Sequence, residues 1–153
     1  MIQTEQTAEY RKLALDELRK YREYMRAAQT MLKLKETALE RVERVSKSFD
    51  AITVQRQPNP KSGEAALAEA IDRKQDFQER AMEYEQRCMD IERKIMELDR
   101  LESVMLLRVF VFGQTVEVAA KEMFYSRRHG FRLYDQAILA YGKRWHQMAL
   151  TDL

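Results

Sequence analysis

The stretch LRKYREYMRAAQTMLKLKETALERVERVSKSF, residues 18–49, repeats its apolar side chains at alternating steps of three and four. Eight of the ten seam positions are apolar, and the ten are Leu18, Tyr21, Met25, Ala28, Leu32, Lys35, Leu39, Val42, Ser46 and Phe49. A period of 3.5 residues is typical of a helix that packs its seam along a partner helix. Charged residues fill the other faces. The pattern predicts a long helix over about residues 7–49.

The same stepping returns further along the chain and predicts a second long helix over about residues 64–100. Its seam positions are Leu67, Ala70, Lys74, Phe77, Ala81, Tyr84, Cys88, Ile91, Ile95 and Leu98. Between the two helices, residues 50–63 hold both prolines of the chain and show no period, which predicts a loop. Helices of about 35 residues are roughly 50 Å long and need helical partners. They form an antiparallel hairpin within one chain, pair between two chains, or do both in a four-helix assembly.

Length and composition exclude several classes of protein. The chain has 153 residues, 34% of them charged and 45% hydrophobic, with four Gly and two Pro. This favours an all-α protein of one small domain with an extended helical element, and disfavours disorder or two enzyme domains. No apolar run is long enough to span a membrane. The N-terminus lacks the apolar region and cleavage site of a secretory signal, so we expect a cytoplasmic protein without a membrane partner.

Motifs for catalysis and metal binding are missing from the sequence. It contains no P-loop, dinucleotide-binding glycine fingerprint, nucleophile elbow or HExxH pattern. His129 and His146 lie far apart and lack spaced ligands, and Cys88 has no second cysteine to pair with. We therefore expect no enzyme activity, no cofactor and no metal, with Cys88 as a small core residue.

The C-terminal third changes character and predicts a second domain over residues 101–153. Seven basic and four acidic residues give residues 104–153 a charge of +3, whereas the rest of the chain sums to −1. An apolar helix ends at Gly113, Thr115 begins a helix of about two turns, and Ser126 begins a basic third helix. With Ala120 at the centre of the middle helix, these features predict a tri-helical helix-turn-helix domain behind an N-terminal oligomerisation domain of residues 1–100.

The third helix of this domain carries the side chains suited to the DNA major groove. Arginine binds guanine with two hydrogen bonds, and glutamine pairs in the same way with adenine. The predicted base contacts are Arg127, Arg128, His129, Arg132 and Gln136. The predicted DNA backbone contacts are Gln114, Thr115, Lys121, Ser126, Lys143 and Arg144. The expected partner is double-stranded DNA. The predicted inward-facing set is Leu106, Leu107, Phe110, Ala119, Met123, Tyr125, Leu133, Ala137 and Ile138.

Residues 105–143, MLLRVFVFGQTVEVAAKEMFYSRRHGFRLYDQAILAYGK, resemble the C-terminal helix-turn-helix of ArpU-type phage and prophage transcriptional regulators. That module is similar to region four of primary sigma factors. The shared residues are Leu107-Arg108, Gly113-Gln114-Thr115, Glu117, Ala120, Tyr125-Ser126-Arg127 and Arg132-Leu133. The resemblance implies a sequence-specific phage or prophage regulator in the bacterial cytoplasm. Because a single helix-turn-helix reads only a few base pairs, we also expect a homo-oligomer through the N-terminal helices, with a dimer favoured.

Two residues depart from the family pattern. Phe124 stands at the glycine of the turn, and Gly130 stands at a β-branched core position. We expect the Phe124 ring to fill the space over Gly130. An alternative role for Phe124 is an exposed contact for a partner such as RNA polymerase. Two other functions suit the same fold, namely a small terminase-like DNA-packaging subunit and a coiled-coil adaptor for RNA polymerase or a sigma factor.

Overall fold

A computed structural model describes the backbone of residues 2–55 and 60–151, and the side chains of residues 2–48 and 63–146. The described residues are almost entirely helical and contain no strand. The helices are α1 (Ile2–Gln55), α2 (Pro60–Met96), α3 (Arg100–Leu106), α4 (Val116–Glu122) and α5 (Arg127–Thr151), and a π-helical segment, Leu107–Val111, continues α3. The predicted all-α class is confirmed.

Both long helices extend into the stretch of sequence that was predicted to be a loop. α1 continues to Gln55 and α2 begins at Pro60, so much of the predicted loop at residues 50–63 is helical. Proline suits the first turn of a helix because its fixed φ is helical and its missing N–H is not needed there. Residues 56–59 of the predicted loop lie outside the described residues. α2 ends at Met96, short of the predicted residue 100, and α3 begins after a brief turn.

The chain divides into two compact units. One unit comprises Met1–Tyr24 and Arg87–Leu153, and the other comprises Met25–Gln86. The first unit takes residues from both sides of the predicted boundary between residues 100 and 101, because the start of α1 and the end of α2 share its core with α5. Separate folding of residues 1–100 and 101–153 stays a prediction.

In the first unit, the start of α1 runs antiparallel to the end of α2. The Cys88 thiol lies 3.6 Å from the Tyr21 carbonyl oxygen, and Lys94 Nζ lies 2.6 Å from Glu17 Oε1. The residue number therefore rises on one helix as it falls on the other. The core residues here are Ala14, Leu18, Tyr21, Cys88, Ile91, Ile95, Leu106, Phe110, Ala137, Ile138 and Tyr141. Cys88 is buried, as predicted.

A second cluster joins α3, α4 and α5 within the same unit. Its buried members are Met105, Ala119 and Leu133, against which Met123 and Tyr125 pack. Between them, the two clusters contain every side chain of the predicted inward-facing set. The sequence pattern of residues 101–153 therefore identified packed side chains, but five of the nine lie in the cluster shared with α1 and α2.

The second unit shows where the strict 3.5-residue seam was wrong. Ala28, Ala70 and Ala81 are buried as predicted, but Leu32 and Leu39 are exposed, and Ala38 is buried instead. The buried position on α1 is therefore Ala38, one residue before the predicted seam position Leu39. On α2, Met82, Met89 and Met96 are exposed.

Candidate nucleic-acid interface

Two side-chain caps fix the start of α4 and the start of α5. Thr115 Oγ1 accepts a hydrogen bond from the Val118 N–H at 3.2 Å, and Ser126 Oγ accepts one from the His129 N–H at 3.2 Å. Each cap satisfies a backbone donor that the first helical turn leaves unpaired. Gly113, with φ +75°, takes the left-handed conformation predicted for it and ends the segment before α4. The predicted caps and stop are confirmed.

The crossing of α4 and α5 depends on Gly130 and Ala120, both of which are buried. A Cβ atom built on Gly130 lies only 2.3 Å from Ala120 Cβ. Ala120 therefore occupies the space over Gly130, and the prediction that the Phe124 ring fills it is wrong. Glycine brings the two backbones closer together than a β-branched residue permits.

Phe124 instead forms the exposed turn between α4 and α5. Its backbone has φ +62°, and 96% of the residue surface is exposed. The Phe124 N–H donates to the Lys121 carbonyl at 3.1 Å, and the Tyr125 N–H donates to the Ala120 carbonyl at 2.8 Å. This pair of bonds is the Schellman motif, which places its left-handed residue at position 124 and normally uses glycine there.

Three of the predicted base-contacting residues are exposed and are not committed to ion pairs. Arg128 and Arg132 are exposed, lie one helical turn apart on α5, and form no ion pair with any described residue. His129 stacks on Tyr125 with their ring centroids 4.6 Å apart, which supports the imidazole beside the two arginines. This face of α5 offers two guanidinium groups and one imidazole.

The other two predicted base-contacting residues bind within the protein. Arg127 pairs with Glu117 of α4 at 2.9 Å and lies over the Phe131 ring at 5.8 Å. Gln136 donates from Nε2 to Glu102 Oε1 at 3.1 Å. Burial raises the pKa of Glu102, while the Gln136 hydrogen bond opposes the rise. Arg127 and Gln136, at the edge of the basic face, therefore link α5 to α4 and α3.

Of the six predicted DNA backbone-contacting residues, four make polar contacts within the protein, and the two lysines make no ion pair with the described residues. Gln114 belongs to a network in which Arg108 pairs with Glu122 and the Gln114 amide donates to Glu122 Oε2 at 2.8 Å. Thr115 and Ser126 are the caps described above. Lys121 and Lys143 are exposed and make no ion pair with the described part of the chain. Arg144 pairs with Glu97 at 3.3 Å, and its guanidinium lies 5.4 Å from the Trp145 ring centroid.

A polar cluster further along α5 joins three helices and was not predicted. The Glu17 carboxylate of α1 binds Lys94 Nζ of α2 at 2.6 Å and His146 Nε2 of α5 at 2.7 Å. Burial raises the pKa of Glu17, but Lys94 and His146 outweigh it, and the net shift is downward. The Tyr141 hydroxyl is buried near this carboxylate, and burial together with the Glu17 charge raises its pKa. No short sequence pattern joins positions 17, 94 and 146.

Neither a metal site nor a membrane-spanning helix is found among the described residues. No group of three or more His, Cys, Asp or Glu side chains is arranged there to hold a metal ion. No described helix is both long and apolar enough to cross a membrane. Comparisons with protein-family models, curated proteins and solved structures gave no match.

Proposed function

We propose that this protein is a phage or prophage transcriptional regulator that binds double-stranded DNA sequence-specifically in the bacterial cytoplasm. The observation that carries the proposal is the placement of Arg128 and Arg132. They project from the capped start of α5, one turn apart, without a carboxylate partner among the described residues. Guanidinium groups in this position suit the O6 and N7 atoms of guanine. The tight contact of Gly130 with Ala120 fixes the orientation of α5 against α4, as a helix-turn-helix requires.

In this proposal, different residues of the face supply base selection and affinity. Arg128, His129 and Arg132 read base edges, while Lys121 and Lys143 bind phosphates beside them. The charge of +3 on residues 104–153 supports a polyanionic partner. The internally bound Arg127 and Gln136 set the position of the face, and Gln136 reads a base only after leaving Glu102. The function is binding, without catalysis or a cofactor.

A homodimer supplies the second half-site that a single helix-turn-helix needs for affinity and specificity. Residues of the second unit support this oligomer. Met25, Leu32 and Leu39 repeat at seven-residue intervals on α1 and are 36–38% exposed. A seven-residue apolar repeat left at the surface is the pattern by which helices of two chains pair. The N-terminal helices therefore carry oligomerisation in this proposal.

Selection from a random DNA duplex library tests the function, with molecular mass measured by light scattering alongside. We expect a single enriched sequence, binding that weakens as salt rises, and a mass of twice 18.2 kDa. Arg128→Gln should cost roughly 1–3 kcal/mol and relax the base preference, whereas Lys143→Gln should weaken all sequences alike. Absence of duplex binding at low salt would refute the proposal. Equal losses from both variants on selected and random DNA would remove the base-reading role of Arg128.

A second candidate is an adaptor that binds RNA polymerase or a sigma factor through the turn before α5. The exposed Phe124 ring favours it, because the left-handed backbone there is better suited to glycine. Under this function, Phe124→Gly abolishes binding to the polymerase and Arg128→Gln does not. Under the proposed DNA-binding function, the reverse pattern applies to DNA.

A further inference from the structure

Helix α1 contributes a row of arginines to the unit that contains α5, and nothing in the predicted interface includes them. Positions on one side of α1 follow steps of three and four, namely Thr4, Ala8, Arg11, Leu15, Arg19 and Arg22. Residues with this spacing lie on one face of a helix. No carboxylate occupies these positions. Arg11, Arg19 and Arg22 form the α1 arginine row, and all three are exposed without an ion pair among the described residues.

Arg22 places one end of the row at the turn before α4. A Cβ atom built on Gly113 lies 1.6 Å from Arg22 Nη2 and 2.8 Å from Arg22 Cζ. The guanidinium therefore occupies the space that a side chain at position 113 would fill. The next two residues are Gln114 and Thr115, both assigned to the DNA backbone in the proposed function. Arg22 adds a positive charge beside them.

Arg19 is the middle residue of the row. Burial raises the pKa of the Tyr134 hydroxyl on α5, and the positive charge of Arg19 opposes that rise. Arg19 also lines a groove of about 480 Å³ together with Arg11, Lys12, Thr4 and Thr7. Among the described residues that line this groove, Asp16 is the one carboxylate, against three cations. Positive charge thus dominates this side of α1.

We propose that the α1 arginine row binds DNA phosphates flanking the bases contacted by α5. This inference rests on the proposed DNA-binding function and extends it to a second element of the same unit. At 1.5 Å per residue, Arg11 and Arg22 lie roughly 16 Å apart along α1, which is long enough for the row to contact more than one phosphate of a strand. The row fixes the register of the protein on DNA, because phosphate contacts orient a protein without reading sequence.

The double variant Arg19→Gln/Arg22→Gln tests the row, with Lys20→Gln as the matched control. Lys20 is the next residue on α1, carries the same charge, and lines a different groove beside Glu17, Lys94 and His146. Binding to the selected duplex is measured by fluorescence anisotropy over roughly 50–200 mM salt, the range in which counterion release dominates. Each lost phosphate contact should lower the salt slope by about 0.9 and weaken binding roughly tenfold at the lowest salt. Lys20→Gln should leave the slope unchanged.

Arg11→Gln guards against loss of folding, because Arg22→Gln alters the packing on Gly113 whereas Arg11 lies away from that turn. If the double variant and Arg11→Gln keep the wild-type slope while Arg128→Gln weakens binding, α1 does not touch DNA and only this inference fails. Equal losses from Lys20→Gln and Arg19→Gln indicate a general charge effect and also overturn it. If the wild-type protein binds no duplex, the proposed function itself fails, and the inference fails with it.

Discussion

Replacing Phe124 with glycine should stabilise the protein. Position 124 is the left-handed residue of the Schellman motif that ends α4, with φ +62°. A side chain with a Cβ atom crowds the following carbonyl oxygen in this conformation. The residue is 96% exposed, so removal of its ring loses almost no packing contacts. Strain is therefore relieved without an opposing loss of buried surface.

The size of the gain follows from two opposing contributions. An L-residue in the left-handed region costs roughly 1–2 kcal/mol, which Phe124→Gly removes. Glycine also has more conformational freedom than phenylalanine in the unfolded chain, and this lowers the stabilisation by roughly 0.4–1 kcal/mol. The net stabilisation is about 1 kcal/mol. For a chain of this length, it corresponds to a rise in melting temperature of roughly 2–4 °C.

Thermal unfolding followed by circular dichroism measures this shift, and two variants separate its causes. Phe124→Ala removes the ring but keeps a Cβ atom in the left-handed region, so it should change the melting temperature little. Phe112→Gly also removes an exposed phenylalanine, but φ there is −86°. Phe112→Gly relieves no left-handed strain and only increases the conformational freedom of the unfolded chain. It should therefore destabilise the protein by roughly 0.5–1 kcal/mol.

The opposite signs of Phe124→Gly and Phe112→Gly are the decisive result. If both glycine variants lower the melting temperature, position 124 carries no relievable strain and the reasoning is wrong. If Phe124→Ala stabilises as much as Phe124→Gly, the ring rather than the backbone is the source of the cost.

Two further predictions concern packing and acid sensitivity. Gly130→Val should destabilise by roughly 1–3 kcal/mol in urea unfolding, because even its Cβ atom would lie 2.3 Å from Ala120 Cβ, and Ala120→Gly should restore part of the loss; strictly additive effects would contradict the contact. The lowered pKa of Glu17 means that its carboxylate stabilises the fold above the ordinary value of 4.5, and this contribution is lost as pH falls through the lower folded-state pKa. Glu17→Gln should therefore be less stable at neutral pH and lose less stability on acidification, and parallel pH curves for both proteins would refute the assignment.

Local signals in the sequence identified the features that depend on short stretches of chain. Thr115, Ser126 and Gly113 were recognisable because caps and left-handed stops depend on the residue itself and its nearest neighbours. The packed residues of α3–α5 were recognisable because helical periodicity assigns them to one face. The two long helices were predicted for the same reason, although α1 and the start of α2 exceed the predicted bounds.

Features that depend on tertiary contacts were beyond the same reasoning. Gly130 looked like a missing core side chain, because the approach of Ala120 on another helix is invisible in a local pattern. The exposure of Met89 depends on which face of α2 meets α1 and α5. The π-helical segment at Leu107–Val111 has no glycine or proline to mark it. The bonds of Gln136 to Glu102 and of Arg127 to Glu117 likewise link helices at separations that periodicity does not address.

The shared core of the first unit makes α1 part of the candidate interface. Ala137, Ile138 and Tyr141 of α5 lie in one cluster with Leu18 of α1 and Ile95 of α2. The Glu17 carboxylate adds polar bonds to α2 and α5 beside that cluster. A close-packed core transmits displacement because its side chains leave little free volume. The position of α5 is therefore coupled to that of α1, and under the proposed DNA-binding function a shift of α1 would change how both basic surfaces face a duplex.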